Sequence, residues 1–245
     1  MNGEWFPYGQ KPDAYKAFWI KVYTIFQTTA PHVAFVWSPN FNGPANNEPY
    51  DPYWPGADYV DWVGLSVYWK GRASEWPWLQ NTEAPLNYVS QIIDAQGPEG
   101  GPISFYQTYA VQYSKPMVIS EAAGAFHMGI QGGSALDVGV GREKTLMSFW
   151  NSFLFSPGFF QTYPLVKMIF AFEMYKVEDG NTQNDYRATM DLETRKAFVA
   201  GLQQLDSTGA VAWASLRNLK RDKTSSSIPL PKQALAAWSI LGAIF

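Results

Sequence analysis

A chain of 245 residues with 18 basic and 21 acidic side chains, a formal charge of −3, is long enough to bury a sizeable core and carries no basic stripe suited to nucleic acid. It has no cysteine, which excludes a disulfide scaffold or a cysteine metal centre, and only two histidines, His32 and His127, too few for a multi-histidine site. No metal and no cofactor is expected.

Between Asp13 and Thr29, residues Tyr15, Phe18, Trp19, Val22, Ile25 and Phe26 recur at helical spacing. Pro12 and Asp13 suit the start of that helix and Pro31 closes it. His32 to Asn40 is dense in β-branched and aromatic residues and reads as the first strand, ended by Ser-Pro-Asn. Residues 42–58 form a Pro/Gly/Asn/Tyr loop. Asp51, Asp58 and Asp61 sit around it as turn and cap residues, since a calcium site needs about six to eight oxygens. Trp62 to Trp69 is the second strand and Leu86 to Ala95 a helix. Pro116 to Glu121 is the third strand and Glu143 to Phe155 a helix. Val166 to Tyr175 is the fourth strand and Leu192 to Leu205 a helix. Strands that are almost continuously apolar and alternate with helices specify a parallel sheet covered by helices. No internal repeat is visible. Four strands are counted, where a closed (β/α) barrel has eight.

Polar and aromatic side chains gather just after each strand: Ser38 and Asn40, Tyr68 and Trp69, Glu121, Glu173 and Tyr175. In a barrel they would share the carboxyl-end face, where such enzymes work. The segment K-P-M-V-I-S-E-A-A-G, Lys115 to Gly124, runs an apolar strand into a carboxylate and then into small residues. A glycosidase needs two carboxylates flanking the bond it breaks, and Glu121 is the best single candidate, at a strand end where burial can tune it. The alternative is a strand-end Glu paired with a Lys. Aromatics make up 17% of the chain, and Trp5, Trp54, Trp69, Trp76 and Trp78 fall in Gly/Pro/Asn-rich stretches rather than on a strand or helix period. Sugars stack their C–H faces on such rings. Trp76 and Trp78, in R-A-S-E-W-P-W-L, read equally as a binding surface or as packing. Trp19, Trp150 and Trp238, at helical spacing, read as core.

Five segments together resemble glycoside hydrolase family 26, the mannanase-type barrel glycosidases. M-N-G-E-W-F-P-Y-G, Met1 to Gly9, is similar to the tail of the family's H-E-M-N-G-x-W-F motif. F-V-W-S-P-N, Phe35 to Asn40, resembles its strand 5, and Tyr53 to Tyr68 its approach to strand 6. K-P-M-V-I-S-E resembles strand 7. Phe172 to Arg187, with N-D-Y-R, is similar to the strand 8 loop. The likeness runs from Met1 to about Leu205. It implies an α/β TIM (β/α)8 barrel of which only the C-terminal half, strands 5–8, is present in residues 1–206. It further implies a retaining hydrolase, mostly endo-acting on β-1,4-mannans, with Glu121 as nucleophile and Tyr68 hydrogen-bonding it. Trp5, Phe6 and Trp37 would lie near the cleft and Asn2 would orient substrate. Trp69 and Tyr175 complete the set of substrate-binding candidates, with Phe172 and Met174 as neighbouring options.

The sequence departs from the family at its general acid, the Glu that directly precedes M-N-G and follows a His. Met1 holds the first position here, so neither is in this sequence, and Glu4 follows the strand end into a loop. The expectation is a catalytically crippled chain, because losing a general acid costs about two to four orders of magnitude in rate. A non-catalytic carbohydrate-binding protein and a barrel β-glucanase or xylanase stay open as alternatives. The polymeric substrate implies an extracellular site of action, although no signal peptide follows Met1. The partner is a polysaccharide, the chain is expected to be a monomer, and no nucleic acid is involved. Residues 207–245 form a tail: a polar linker from Leu219, then twelve mostly apolar residues, too short to span a bilayer. A membrane anchor through that tail is not expected.

Overall fold

The computed structural model describes residues 1–4, 9–44, 49–178 and 180–210, and the backbone alone of 212–213 and 237–238. Helix α1 (Pro12–Thr29) starts on a proline, whose missing N–H is harmless in a first turn, and carries Asp13 beside the helix N-terminus. Strand β1 (Val36–Trp37) and strand β2 (Trp62–Trp69) follow, then α2 (Tyr88–Asp94), a π-helical turn at Tyr106–Val111 and β3 (Met117–Gly124). Next come β4 (Phe126–Ile130), α3 (Arg142–Asn151), α4 (Phe159–Thr162), β5 (Val166–Ala171), β6 (Tyr175–Glu178), β7 (Thr182–Asp185) and α5 (Leu192–Ser207). A two-residue strand β8 (Ala212–Trp213) pairs in parallel with β9 (Ala237–Trp238).

Four strands form one parallel sheet in the order β1-β2-β3-β5, with β1 and β5 at its edges. This is the expected α/β arrangement, with half the strands of a closed barrel. Val63, Leu65, Val67 and Trp69 of β2 and Met117 and Ile119 of β3 face a single apolar layer shared with α2, the π-helical turn and α3. Helix α3 lies close on β3 because Gly124 has no side chain: a Cβ there would sit 3.2 Å from Phe149 Cβ and 3.4 Å from Leu146 Cα. Asp191 caps α5, accepting from the backbone N–H groups of Glu193 and Thr194.

Several elements differ from expectation. The apolar face of α1 is only half used. Tyr15, Trp19, Tyr23 and Phe26 pack edge-on against Tyr53, Phe35 and Tyr59, whereas Phe18 stays 68% exposed and no residue of the helix is fully buried. The strand expected over His32–Asn40 shrinks to two residues and one isolated bridge from Asn40 to Ser66. Pro39 offers no N–H to a ladder, and the Asp61 carboxylate takes the Phe35 N–H at 2.7 Å. The strand expected over Val166–Tyr175 breaks after Ala171, and Tyr175 opens a second, antiparallel sheet of order β4-β7-β6 that sequence reasoning did not foresee. Gly180 and Asn181 take the positive φ that the β6–β7 reversal needs. Trp238, read as helical, has extended backbone in β9. The polar linker and nearly all of the apolar end of the tail lie outside the described residues. Among the described residues no helix is long and apolar enough to cross a membrane.

Candidate active site

Strand β3 delivers Glu121 by breaking its own alternation. Met117 and Ile119 face the helix layer, and strict alternation would send Glu121 there as well. Instead the register slips: Leu65 lies opposite Ile119 but Ser66 opposite Glu121, so Ser120 is an extra residue on β3. Past this bulge Ala122 rejoins the helix layer and Ala123 faces the other way. Glu121 thus shares the face of Ala123, opposite α2 and α3, and is exposed to solvent. This corrects the expectation that burial would tune its carboxyl.

Tyr68 stands between Val67 and Trp69, both of which point into the helix layer, so its ring emerges on the Glu121 face. Its O–H donates to Glu121 Oε2. Phe172 at 5.3 Å and Tyr186 at 5.4 Å pin the ring edge to face and meet each other at 5.3 Å. Burial, then the Glu121 carboxylate, pushes the phenol far above its ordinary value, so it remains a protonated donor. Behind Glu121, the Ser38 and Ser120 hydroxyls hydrogen-bond across β2. Gly64 leaves them room, since a Cβ there would lie 3.0 Å from Ser38 Cβ and 2.9 Å from Val118 Cγ1.

The antiparallel sheet forms a wall at the carboxyl ends of β3 and β5. Its Glu178 binds Lys70 Nζ at 3.0 Å and Lys176 Nζ at 2.8 Å, and accepts the Tyr186 O–H. Burial pushes this carboxyl up, but Lys70, Lys176 and Tyr186 together outweigh it and hold it at about 2. Asp185 receives a bidentate Arg187 at 2.8 and 2.9 Å and Arg142 at 2.9 Å. His127 is buried, with its ring nitrogens 2.6 Å from Asn184 Oδ1 and from the Lys70 carbonyl. Asn81 pairs with the His127 backbone in both directions, at 2.8 and 2.9 Å. Lys70, which directly follows β2, is therefore tied to the wall through both its side chain and its carbonyl.

Other expected site residues go elsewhere. Trp37 is fully buried, packs on Trp54, Phe105 and Tyr109, and gives its N–H to the Tyr53 carbonyl at 3.0 Å. Alternation turns it to the helix side, so it belongs to the core and not to a cleft. Trp69 is corrected for the same reason: it is 1% exposed, meets Tyr88 at 4.9 Å and donates to the Thr82 carbonyl. Trp54 joins that core. Asn2 is buried too, and its amide exchanges two 2.9 Å hydrogen bonds with the Asn40 backbone, which fastens the first residues to the sheet edge instead of presenting the amide to a ligand. Glu173 lies just past β5 and accepts from Ala188 N–H and from the Thr189 N–H and hydroxyl, so it holds a turn. Tyr175 is exposed, with the Arg187 guanidinium 6.0 Å from its ring centre. Glu4 is exposed in a turn. Trp5 and Phe6 lie outside the described residues.

Trp150 is core as expected, and Trp19 is half-buried. The Asp51 and Asp61 carboxylates tie distant segments together, accepting from the Tyr109 O–H and the Phe35 N–H. Among the described residues no group of three or more acidic or histidine side chains could hold a metal. Sequence reasoning missed the Ser120 bulge and the Lys70–Glu178–Tyr186 chain. The N-D-Y-R segment pointed to the right region without revealing its partners.

Residues 1–105 match the model of glycosyl hydrolase family 26. The mannan endo-1,4-β-mannosidase of Bacillus subtilis strain 168 is 37% identical over 85 residues, which span 30% of this chain and 22% of that protein. Among solved structures, the catalytic domain of the family 26 endo-β-1,4-mannanase of Bacillus sp. JAMB-750 is 18% identical with a TM-score of 0.43, over 69% of this chain and 38% of that one. A Bacillus subtilis mannanase is 23% identical with a TM-score of 0.39, over 74% and 40%. The chain therefore spans about a fifth to two fifths of the length of these relatives. The likeness to glycosyl hydrolase family 26 is thus carried by residues 1–105.

Proposed function

We propose that this chain carries the nucleophile side of a retaining β-glycosidase acting on β-1,4-mannan, with Glu121 as nucleophile and Tyr68 as the donor that orients it. The observation that supports this most directly is the bulge at Ser120, which turns a strand carboxylate out of the core and under a phenol that stays protonated. The family match ends before Glu121, so its role rests on that geometry together with the motif resemblance. In the proposed step a Glu121 oxygen bonds to the anomeric carbon while the bond to the departing oxygen breaks, and a general acid protonates that oxygen. Water then releases the sugar from the glycosyl ester. The neighbouring strand-end carboxyls Glu173 and Glu178 are committed to a turn and to two lysines, so neither is assigned the acid role. Tyr175 is retained as an exposed substrate contact. The site of action is proposed to be extracellular, where a polymeric glycan is met.

A non-catalytic glycan-binding protein is the second reading. The openness of Glu121 favours it, because an exposed carboxylate lacks the water-excluded surroundings that strengthen electrostatic catalysis. Trapping separates the two. A 2-fluoromannosyl fluoride needs no acid to protonate its leaving group, so a competent nucleophile forms a stable ester with it. Peptide mass spectrometry is expected to find the label on the peptide containing Glu121 and to lose it in Glu121→Ala. Binding of manno-oligosaccharides without any label would favour the second reading, and a label on another residue would remove Glu121 from its role.

A further inference from the structure

The loop that leaves β2 carries an aromatic feature that the proposed reaction does not use. Trp76 is 55% exposed, although indole is among the side chains most costly to leave in water. It meets Trp78 at right angles, with ring centres 4.7 Å apart. The arrangement is fixed from below. The Trp78 N–H donates to the Arg72 carbonyl at 2.9 Å, and its ring lies on Gly71, where a Cβ would approach Trp78 Cδ1 to 2.7 Å. Gly71 also holds φ at +138°, which side chains rarely tolerate. Arg72 N–H donates to Glu75 at 3.1 Å and Ala73 N–H to the buried Glu99 at 3.0 Å, so the short turn beneath the rings is tied down. One face of Trp78 is taken by the Lys70 ammonium, 5.6 Å from the ring centre.

Lys70 joins this feature to the candidate site. Its ammonium binds Glu178, Glu178 accepts from Tyr186, and Tyr186 packs on Tyr68, the donor to Glu121. The aromatic pair and Glu121 therefore lie on the same strand-end side, linked by directly touching groups. Beside Trp78 opens a cleft of about 290 Å³, lined by Glu75, Pro77, Leu79 and Gln80. That volume is at the small end for ligand sites and suits one or two sugar rings. Its walls alternate apolar surface with a carboxylate and an amide. A pyranose, with a flat C–H face and a rim of hydroxyls, matches that alternation.

We propose that Trp76 and Trp78, with Glu75 and Gln80, form a distal subsite for a β-linked hexose of a glycan whose chain passes Glu121. The proposal rests on the mannan reading above and adds to it a dependence on chain length. The test compares mannobiose with mannohexaose by calorimetry in the Glu121→Gln chain, where turnover does not consume the ligand. The hexasaccharide is expected to bind more tightly than the disaccharide. Trp76→Ala should lower its affinity about tenfold more than that of the disaccharide, and Trp76→Phe, which keeps a flat ring, should restore part of the difference. An equal effect of Trp76→Ala on both ligands, with the circular dichroism of the folded chain retained, overturns the subsite and leaves the Glu121 reading standing. Failure of the parent chain to bind either ligand overturns the mannan reading and the subsite together.

Discussion

Trp37 buries its indole completely and gives its N–H to the Tyr53 carbonyl at 3.0 Å, while Trp76 leaves 55% of its surface in water. One substitution should therefore have opposite consequences at the two positions. Trp37→Ala is expected to cost about 3–5 kcal/mol, the range for emptying a large aromatic from a packed core. Trp76→Ala should stay within about 0.5 kcal/mol, as surface changes do. Urea unfolding of the two variants measures both, and comparable losses would contradict the burial argument. Tyr68 tests the site itself. Tyr68→Phe keeps the ring between Phe172 and Tyr186 and removes only the donor to Glu121. Ester formation at Glu121 should slow by about ten- to a hundredfold, with stability changed by no more than about 1 kcal/mol. An unchanged labelling rate would mean that the phenol does not orient the carboxylate.

Strands β2 and β3 show what the sequence could and could not reveal. Their existence was legible because the runs Trp62–Trp69 and Pro116–Glu121 are mostly apolar and are bounded by polar or glycine-containing segments, whereas the continuation of β3 through Ala122 to Gly124 was not read. Which way Glu121 points was not legible, because alternation read from Met117 sends it into the core and only the slip against Ser66 turns it out. Trp37 and Trp69 misled for a related reason: position after or within a strand says nothing about which face an indole takes until the neighbouring layer is known. The break after Ala171 was hidden by V-K-M-I-F-A-F-E-M-Y, whose apolar run continues while Glu173 is captured by Ala188 and Thr189 far along the chain. Removing the extra residue tests the bulge directly. Deletion of Ser120 removes the unpaired residue and makes Ile119 and Glu121 consecutive, so plain alternation still turns Glu121 away from the helix layer, and the variant should keep labelling there. A deletion variant that folds but no longer labels at Glu121 would refute the phase argument. Gly64→Ala probes the same junction more gently. Its Cβ would crowd Val118 and Ser38, and a loss of about 1–3 kcal/mol is expected in urea unfolding, as for other overpacked sites.

For the molecule as a whole, two kinds of packing hold the Glu121 face. The parallel sheet rests on apolar burial, which pH does not touch. The wall of β4, β7 and β6 rests on paired charges: Glu178 with Lys70 and Lys176, and Asp185 with Arg187 and Arg142. Against burial, these cations lower both carboxyls, Glu178 from 4.5 to about 2 and Asp185 below its ordinary 3.8. A carboxyl whose pKa is lower in the folded chain than in the unfolded one contributes its stabilisation fully above the unfolded value, and loses it as pH falls through the folded one. For Glu178 that window runs from 4.5 down to about 2. Acid should therefore loosen the wall before the sheet. Amide hydrogen exchange at low ionic strength, where screening is weakest, is expected to show β6 and β7 losing protection at a higher pH than β2 and β3. Glu178→Gln should weaken the wall already at neutral pH and flatten its dependence across that window, since the amide has no proton to gain. Coincident loss of protection in both sheets, or a Gln variant with the parent's pH profile, would mean that the Lys70–Glu178 pair does not hold the wall. The expected order also bears on binding: the Lys70 ammonium lies between Glu178 and the Trp78 ring, so protonating Glu178 should loosen that ammonium from the wall while Glu121 stays anchored on β3.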